Sequence, residues 1–190
     1  MEHFPKRIMF DTNLLVKFTF IYNKEDKGVS LPKRLAKLRP LLTSFEKLNF
    51  LNIMTRWNEL ELRDILMKLK LDEIILESGY TVKEFADAEE NIRLNKGQID
   101  GVNMIILSFF NHSEHRVEPM KDEEMDMNRI NKLSQEGFST FDIILIYQAE
   151  LNKCEYFVTL DKDLYLSKML EKEFKVKIIS AKNFMQKIEH

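Results

Sequence analysis

The chain has 190 residues, 44% of them hydrophobic and 32% charged, the composition of a folded domain with a full core. Lys and Arg number 29 against 31 Asp and Glu, which excludes bulk positive charge as the means of holding a polyanion and leaves only a local basic groove. Cys154 is the one cysteine, so an internal disulfide is excluded and a reducing compartment is expected.

Met1 to Arg7 is polar and lacks a signal-peptide core, and no apolar run approaches the ~20 residues of a membrane helix. The expected location is therefore the cytoplasm. Lys6 to Phe10 contains the continuous apolar run Ile8-Met9-Phe10, the pattern of a strand buried on both faces. Asp11 follows, with Thr12 as the expected cap of a helix over Leu14 to Ile21 and a polar loop from Asn23 to Gly28. Leu35, Leu38, Leu41, Leu42, Phe45 and Leu48 recur at helical spacing, with a break expected at Pro40. Phe50 to Met54 predicts a second strand, Trp57 to Leu69 an amphipathic helix, and Asp72 to Glu77 another short one.

Thr81 to Phe110 reads as mostly helical, broken at Lys96-Gly97, with Ile99, Val102, Ile106, Phe109 and Phe110 on one stripe. His112 to Met127 is the most polar stretch, a surface excursion around a short strand at Arg116 to Pro119. Asn128 to Gln135 predicts a helix stopped by Gly137, and Asp142 to Leu151 an apolar helix that must be buried. Tyr156 to Leu160 predicts a strand, Lys162 to Lys172 a helix, Phe174 to Ser180 the last strand, and Lys182 to Ile188 a closing helix. Strands separated by helices predict an α/β fold of three layers, α/β/α, around a mainly parallel central sheet of about four to five strands. The expected organisation is one domain over 1–190, with extra helical and loop material at about 71–135.

In an open α/β sheet ligands bind beyond the carboxyl ends of the strands. Asp11 closes the first strand, and Asp161 and Asp163 follow Val158-Thr159-Leu160. Taken singly, Asp11 and Asp161 read equally well as helix caps. Glu61 falls in an apolar stripe, with Trp57 at i−4, Ile65 at i+4 and no base at i+3 or i+4. Glu59, by contrast, has Arg63 at i+4, the order of a surface ion pair. An inward acid is costly unless paired, protonated or bound to a metal. Asp142 stands three residues after Ser139, at the mouth of the buried helix, either as a variant capping box or as a site residue. Four carboxylates at one end of a sheet raise each other's pKa unless a cation compensates. Oxygen-only ligands suit Mg²⁺ or Mn²⁺, and a pair of such ions can clamp both oxygens of a phosphodiester displacement.

Four pieces of sequence occur in order between about Ile8 and Ser180. The first is an apolar strand followed by Asp11-Thr12-Asn13 and Leu14-Leu15. The second is a strand ending in Thr55, with Glu61 six residues later on a helix. The third is Asp142 before an apolar helix that carries Ala149, and the last is Val158-Thr159-Leu160-Asp161-Lys162-Asp163-Leu164. Together they resemble PIN domains, the metal-dependent ribonuclease fold related to flap-type nucleases. A Toprim-type enzyme would need Glu where Asp11 stands, and a haloacid-dehalogenase-type phosphatase a second Asp where Asn13 stands.

The resemblance implies an endoribonuclease that hydrolyses RNA phosphodiester bonds with one or two Mg²⁺ or Mn²⁺ ions. It assigns catalysis to Asp11, Glu61, Asp142 and Asp161. Asp11, Asp142 and Asp161 would hold metal, Glu61 directly or through water, and Asp163 would be a less constant extra ligand. Thr12, Asn13 and Thr159 would orient the carboxylates, or do ordinary turn and cap chemistry. Single-stranded RNA is the implied substrate; a homodimer and an inhibitory antitoxin-like protein are the implied partners, with no membrane. The chain is longer than compact toxin-type PIN domains. The alternative is a catalytically weak or silent PIN-like module that binds RNA or scaffolds proteins.

The densest basic stretch contributes Lys33, Arg34, Lys37 and Arg39, either as contacts to an RNA backbone or as a solvated helix face. Phe18, Phe20 and Tyr22 are candidates for stacking on bases or for core packing. His112 and His115 form a His-x-x-His in a polar loop. Met9, Met54, Met104 and Met169 read as core filling, and Cys154 as an inert, half-buried thiol.

Overall fold

Five short strands, Lys6–Phe10 (β1), Phe50–Thr55 (β2), His115–Glu118 (β3), Tyr156–Thr159 (β4) and Lys177–Ser180 (β5), pair into one sheet in the order β3-β2-β1-β4-β5. Every neighbouring pair is parallel. The structure is a computed structural model that describes residues 6–48, 50–111 and 115–188. Helices connect the strands: Thr12–Asp26 (α1), Lys33–Ala36 (α2), Arg39–Leu48 (α3), Arg56–Glu77 (α4), Phe85–Asn91 (α5), Lys96–Phe110 (α6), Met127–Gln135 (α7), Thr140–Leu151 (α8), Lys162–Tyr165 (α9), Lys168–Glu173 (α10) and Ala181–Ile188 (α11).

The two-residue period of a strand sorts the core into two layers. Ile8 and Phe10 of β1, Met54 of β2 and Val158 of β4 join one cluster, with Leu14 and Phe18 of α1, Leu62 and Leu66 of α4, Ile106 of α6 and Phe184 of α11. Met9, Ile53 and Phe157, one residue out of phase, join the other, with Ile130 of α7, Ile143 and Ile146 of α8 and Leu170 of α10. Burial on both faces is why these strands read as unbroken apolar runs. Each such side chain contributes ~1.5–3 kcal/mol when fully buried.

From β1 the chain steps through β2 to β3 on one side, then returns to lay β4 and β5 on the other. The strand order therefore reverses between β1 and β4, and the crevice past their carboxyl ends is the place where open α/β sheets bind ligands. Asp11 leaves β1 there, and the Thr159–Asp161 segment leaves β4.

Several boundaries differ from expectation. Asp11, not Thr12, is the N-cap of α1, and the helix runs on to Asp26 through part of the expected loop. The break before α3 falls at Lys37-Leu38, and Pro40 sits in the first turn, where a missing N–H is harmless. No Gly or Pro interrupts residues 56–77, so the two helices expected there are one 22-residue α4. The later break lies at Ile92–Asn95 because Asn95 caps α6: its side chain accepts from the Gln98 N–H at 3.0 Å, and Gln98 answers the Asn95 N–H at 2.8 Å. Gly97 is simply inside the first turn. The expected helix at Lys162–Lys172 is two, because Ser167 caps α10 through the Leu170 N–H at 3.1 Å.

The strand in the polar excursion is real and is an edge of the sheet. His115 lies in it, meeting Asn52 at 3.0 Å and packed on the Phe109 ring, so it belongs to the sheet rather than to a loop; His112 lies outside the described residues. Met9 and Met54 fill the core as expected, but Met104 and Met169 are exposed. Phe18 is buried on Phe10, and Phe20 and Tyr22 pack at the rim of the same cluster, which is the core role of the two considered. Cys154 is buried, and burial pushes its thiol up to about 12, far from reactivity at neutral pH. Among the described residues no helix is long and apolar enough to cross a membrane.

Candidate active site

Asp11 is 2% exposed and is fixed by its backbone and its side chain separately. Its N–H donates to the Val158 carbonyl at 2.9 Å, which ties the end of β1 to β4, and its own carbonyl accepts the Leu14 and Leu15 N–H groups that open α1. The carboxylate makes no well-formed capping bond, although the Asn13 N–H in the first turn helps to favour its ion. It turns to β4, where Thr159 Oγ1 donates to Asp11 Oδ2 at 2.6 Å. The same Thr159 oxygen accepts the Asp161 N–H at 2.9 Å. One buried hydroxyl therefore links the first and the last acid of the set.

Thr12, also buried, does the equivalent for Glu61: its hydroxyl donates to Glu61 Oε2 at 2.5 Å. Glu61 lies in the second turn of α4, whose start is set by Asn58. The Asn58 side-chain oxygen accepts both the N–H (2.9 Å) and the hydroxyl (3.1 Å) of Thr55 at the end of β2. Asn58 is fully buried, and a Thr-x-x-Asn pattern at a strand-to-helix junction is the signal that marks it in the sequence. Glu59 pairs with Arg63, as its spacing predicts, and also with Arg56.

Asp142 lies in the first turn of α8. The N-cap Ser139 makes no side-chain bond to the helix backbone, but its hydroxyl bonds the Asp142 carboxylate and favours the ion, so the two residues do meet across the first turn. Asp161 does cap, accepting the Asp163 N–H at 2.8 Å at the start of α9. Asp163 is exposed and is not among the charges acting on Asp11, Glu61 or Asp142. Asn13 is exposed beside Asp11.

The electrostatics join the four main acids. Burial holds Asp11 above the ordinary carboxylate range, against the Thr159 hydroxyl and Asn13, which favour the ion; the charge of Asp161 adds to the rise. Burial likewise raises Glu61, opposed by Thr12 and reinforced by Asp11 and Asp64. Asp142 is raised to about 6, first by burial and then by the charges of Asp11, Glu61 and Asp161. Among the described residues no salt bridge reaches any of the four. The donor set is oxygen only, the chemistry of a hard divalent cation. Among the described residues, however, no three such side chains already stand as a group that could hold a metal ion.

The basic stretch is elsewhere. Lys33, Arg34, Lys37 and Arg39 follow the far end of α1, about 22 Å along the helix from Asp11 at 1.5 Å per residue. Arg39 is paired with Glu25. Two aromatic residues do border the acids: Trp57, one turn before Glu61, and Phe141, immediately before Asp142, with ring centroids 5.7 Å apart. Phe141 carries no periodicity signal, and only its adjacency to Asp142 could have drawn attention to it. Compared with known proteins, the chain matches no family model, no curated protein and no solved structure.

Proposed function

We propose that the protein is a PIN-type endoribonuclease, dependent on Mg²⁺ or Mn²⁺, that hydrolyses phosphodiester bonds of single-stranded RNA at Asp11, Glu61, Asp142 and Asp161. One observation carries the reading. Four carboxylates from four distant segments act on one another where the strand order reverses, three of them are held more basic than usual, and among the described residues no salt bridge reaches any of them. A cluster of like charges costs stability on its own. A hard divalent cation is the ligand that reverses that cost.

Asp11, Asp142 and Asp161 would hold the ion, with Glu61 at it directly or through water. When bound, such an ion supplies Lewis acidity and a more acidic water. The chain's own contribution is positional. Thr159 pins one oxygen of Asp11 and the backbone of Asp161 together, and Thr12 fixes one oxygen of Glu61. With its carboxyl raised to about 6, Asp142 would have to give up a proton to hold a cation in mildly acidic solution, so loading there would be accompanied by proton release. A homodimer and an inhibitory antitoxin-like partner go with the same reading.

The second reading, a silent PIN-like RNA-binding or scaffold module, is favoured by the absence of a ready-made ligand cage among the described residues. Cleavage of mixed single-stranded RNA in Mn²⁺ decides between them. Wild type should cut and lose activity in EDTA, while Asp11→Asn and Asp142→Asn should be inert yet folded. Absence of wild-type cleavage with a retained Mn²⁺-dependent rise in melting temperature would leave the silent module; absence of both would remove the metal site as well.

A further inference from the structure

A phosphodiester strand is repelled by four carboxylates, and the basic stretch that could attract it lies at the far end of α1. Lys162 stands exposed beside Asp161, and an uncharged surface next to the acids would add a hold on the strand that does not depend on charge. Phe141 is 52% exposed on the first turn of α8, next in the chain to Asp142. Its other neighbour is the Trp57 ring, met at 75° across 5.7 Å. Trp57 lies one helical turn before Glu61 on α4. α4 buries Leu62 and Leu66 on one face of the sheet, and α8 buries Ile143 and Ile146 on the other. The aromatic pair therefore bridges the two layers at the end of the sheet that carries the acids.

We propose that Phe141, backed by Trp57, is the seat on which an unpaired base of the substrate strand stacks while the adjoining phosphate faces Glu61 and Asp142. The proposal rests on the ribonuclease reading and adds to it an uncharged contact that holds a strand beside the acids. A base offers a neutral π-face to an aromatic ring whatever its identity, which suits single-stranded rather than paired RNA. Trp57 is the protein's one tryptophan, so its emission reports occupancy of the seat directly.

The test uses the full chain with a short fluorescein-labelled oligouridylate and the same strand with its bases removed, in Ca²⁺ to hold chemistry off. Wild type should bind the base-bearing strand at least about tenfold more tightly than the base-free one, the scale of one or two stacked bases. Only the base-bearing strand should quench Trp57. Phe141→Ala should bind both strands equally and Phe141→Tyr should regain the preference, both with melting temperatures near wild type because the side chain is half exposed. In Mn²⁺, Phe141→Ala should raise KM for cleavage with kcat little changed.

A base preference that survives Phe141→Ala overturns the proposal. So does an unquenched Trp57, or a Phe141→Ala variant whose only change is a lost dimer on sedimentation, which would make Phe141 a self-association residue. The two readings fail separately. Cleavage without base preference sinks the seat alone, whereas Phe141-dependent base preference without cleavage keeps the seat and sinks the nuclease.

Discussion

Thr159 and Asp11, 148 residues apart in the chain, share a buried 2.6 Å hydrogen bond across the point where the sheet reverses its strand order. The hydroxyl of Thr159 also receives the Asp161 N–H, so the positions of two acids are set by one side chain. The β1–β4 ladder makes this automatic. Phe10 is in register with Val158, so the residues next along each strand, Asp11 and Thr159, leave the sheet side by side.

Thr159→Val keeps the shape and removes both bonds. Asp11 Oδ2 and the Asp161 N–H lose their partner in a place with almost no solvent, which costs about 1–3 kcal/mol. The Asp11 carboxyl should rise further, because the Thr159 hydroxyl is what favours its ion. Urea unfolding at neutral pH should show the loss. An unchanged midpoint would mean that water replaces the hydroxyl and that Thr159 does not organise the site.

The pH dependence of stability has a definite sign. Asp142 titrates near its ordinary 3.8 in the unfolded chain and at about 6 in the fold, so between these values the folded protein holds more protons. Stability from this group is fully present below pH 3.8 and is lost as pH rises through 6. A displacement of that size is at most about 3 kcal/mol, and solvent reaching the open side of the site reduces it to about 1–2 kcal/mol. Burial of Asp11 and Glu61 acts in the same direction. In EDTA, Asp142→Asn should therefore be more stable than wild type at pH 7, and the difference should fade toward pH 4. A variant less stable at pH 7 would make Asp142 a structural residue of α8.

The parallel sheet and the place of Asp11 and Asp161 at its strand ends were legible because strands buried on both faces are written as apolar runs, and these two acids stand directly after two of them. Glu61 was legible from the company it keeps on its helix, Trp57 and Ile65. What was not legible depends on contacts between distant segments or on competition between caps. Gly97 looked like a helix breaker, and the Asn95–Gln98 capping box overrode it. Thr12 looked like a cap, yet its hydroxyl reaches α4. The ligand geometry of the carboxylates is a matter of side-chain distances that no spacing encodes. Phe141 stayed silent because a single exposed ring has no period.

Asn58 should be the hinge on which Glu61 depends. Its side-chain oxygen takes the N–H and hydroxyl of Thr55, fixing where α4 leaves β2, and Glu61 follows one turn later. Asn58→Ala leaves the buried Thr55 N–H unpaired and should cost about 1–3 kcal/mol. If Glu61 serves the site through this anchor, RNA cleavage in Mn²⁺ should fall by more than the folded fraction does. A loss of activity that tracks unfolding alone would confine Asn58 to stability.

Loading with metal should turn the repulsion into stabilisation. A ligand bound only by the folded state adds about 2.7 kcal/mol at a free concentration one hundred times its Kd. Mn²⁺ should therefore raise the melting temperature of wild type in a concentration-dependent way, EDTA should reverse the rise, and Ca²⁺ or Mg²⁺ should follow at higher concentrations. Asp11→Asn removes a carboxylate proposed to hold the ion and should abolish the shift. It should also start from a higher metal-free melting temperature, because one of the mutually repelling charges is gone. Asp163→Asn, on the exposed side of α9 and outside the group of interacting acids, should keep most of the shift. Equal shifts in wild type and Asp11→Asn would place the cation somewhere other than the end of the sheet, and the four carboxylates would then need another explanation.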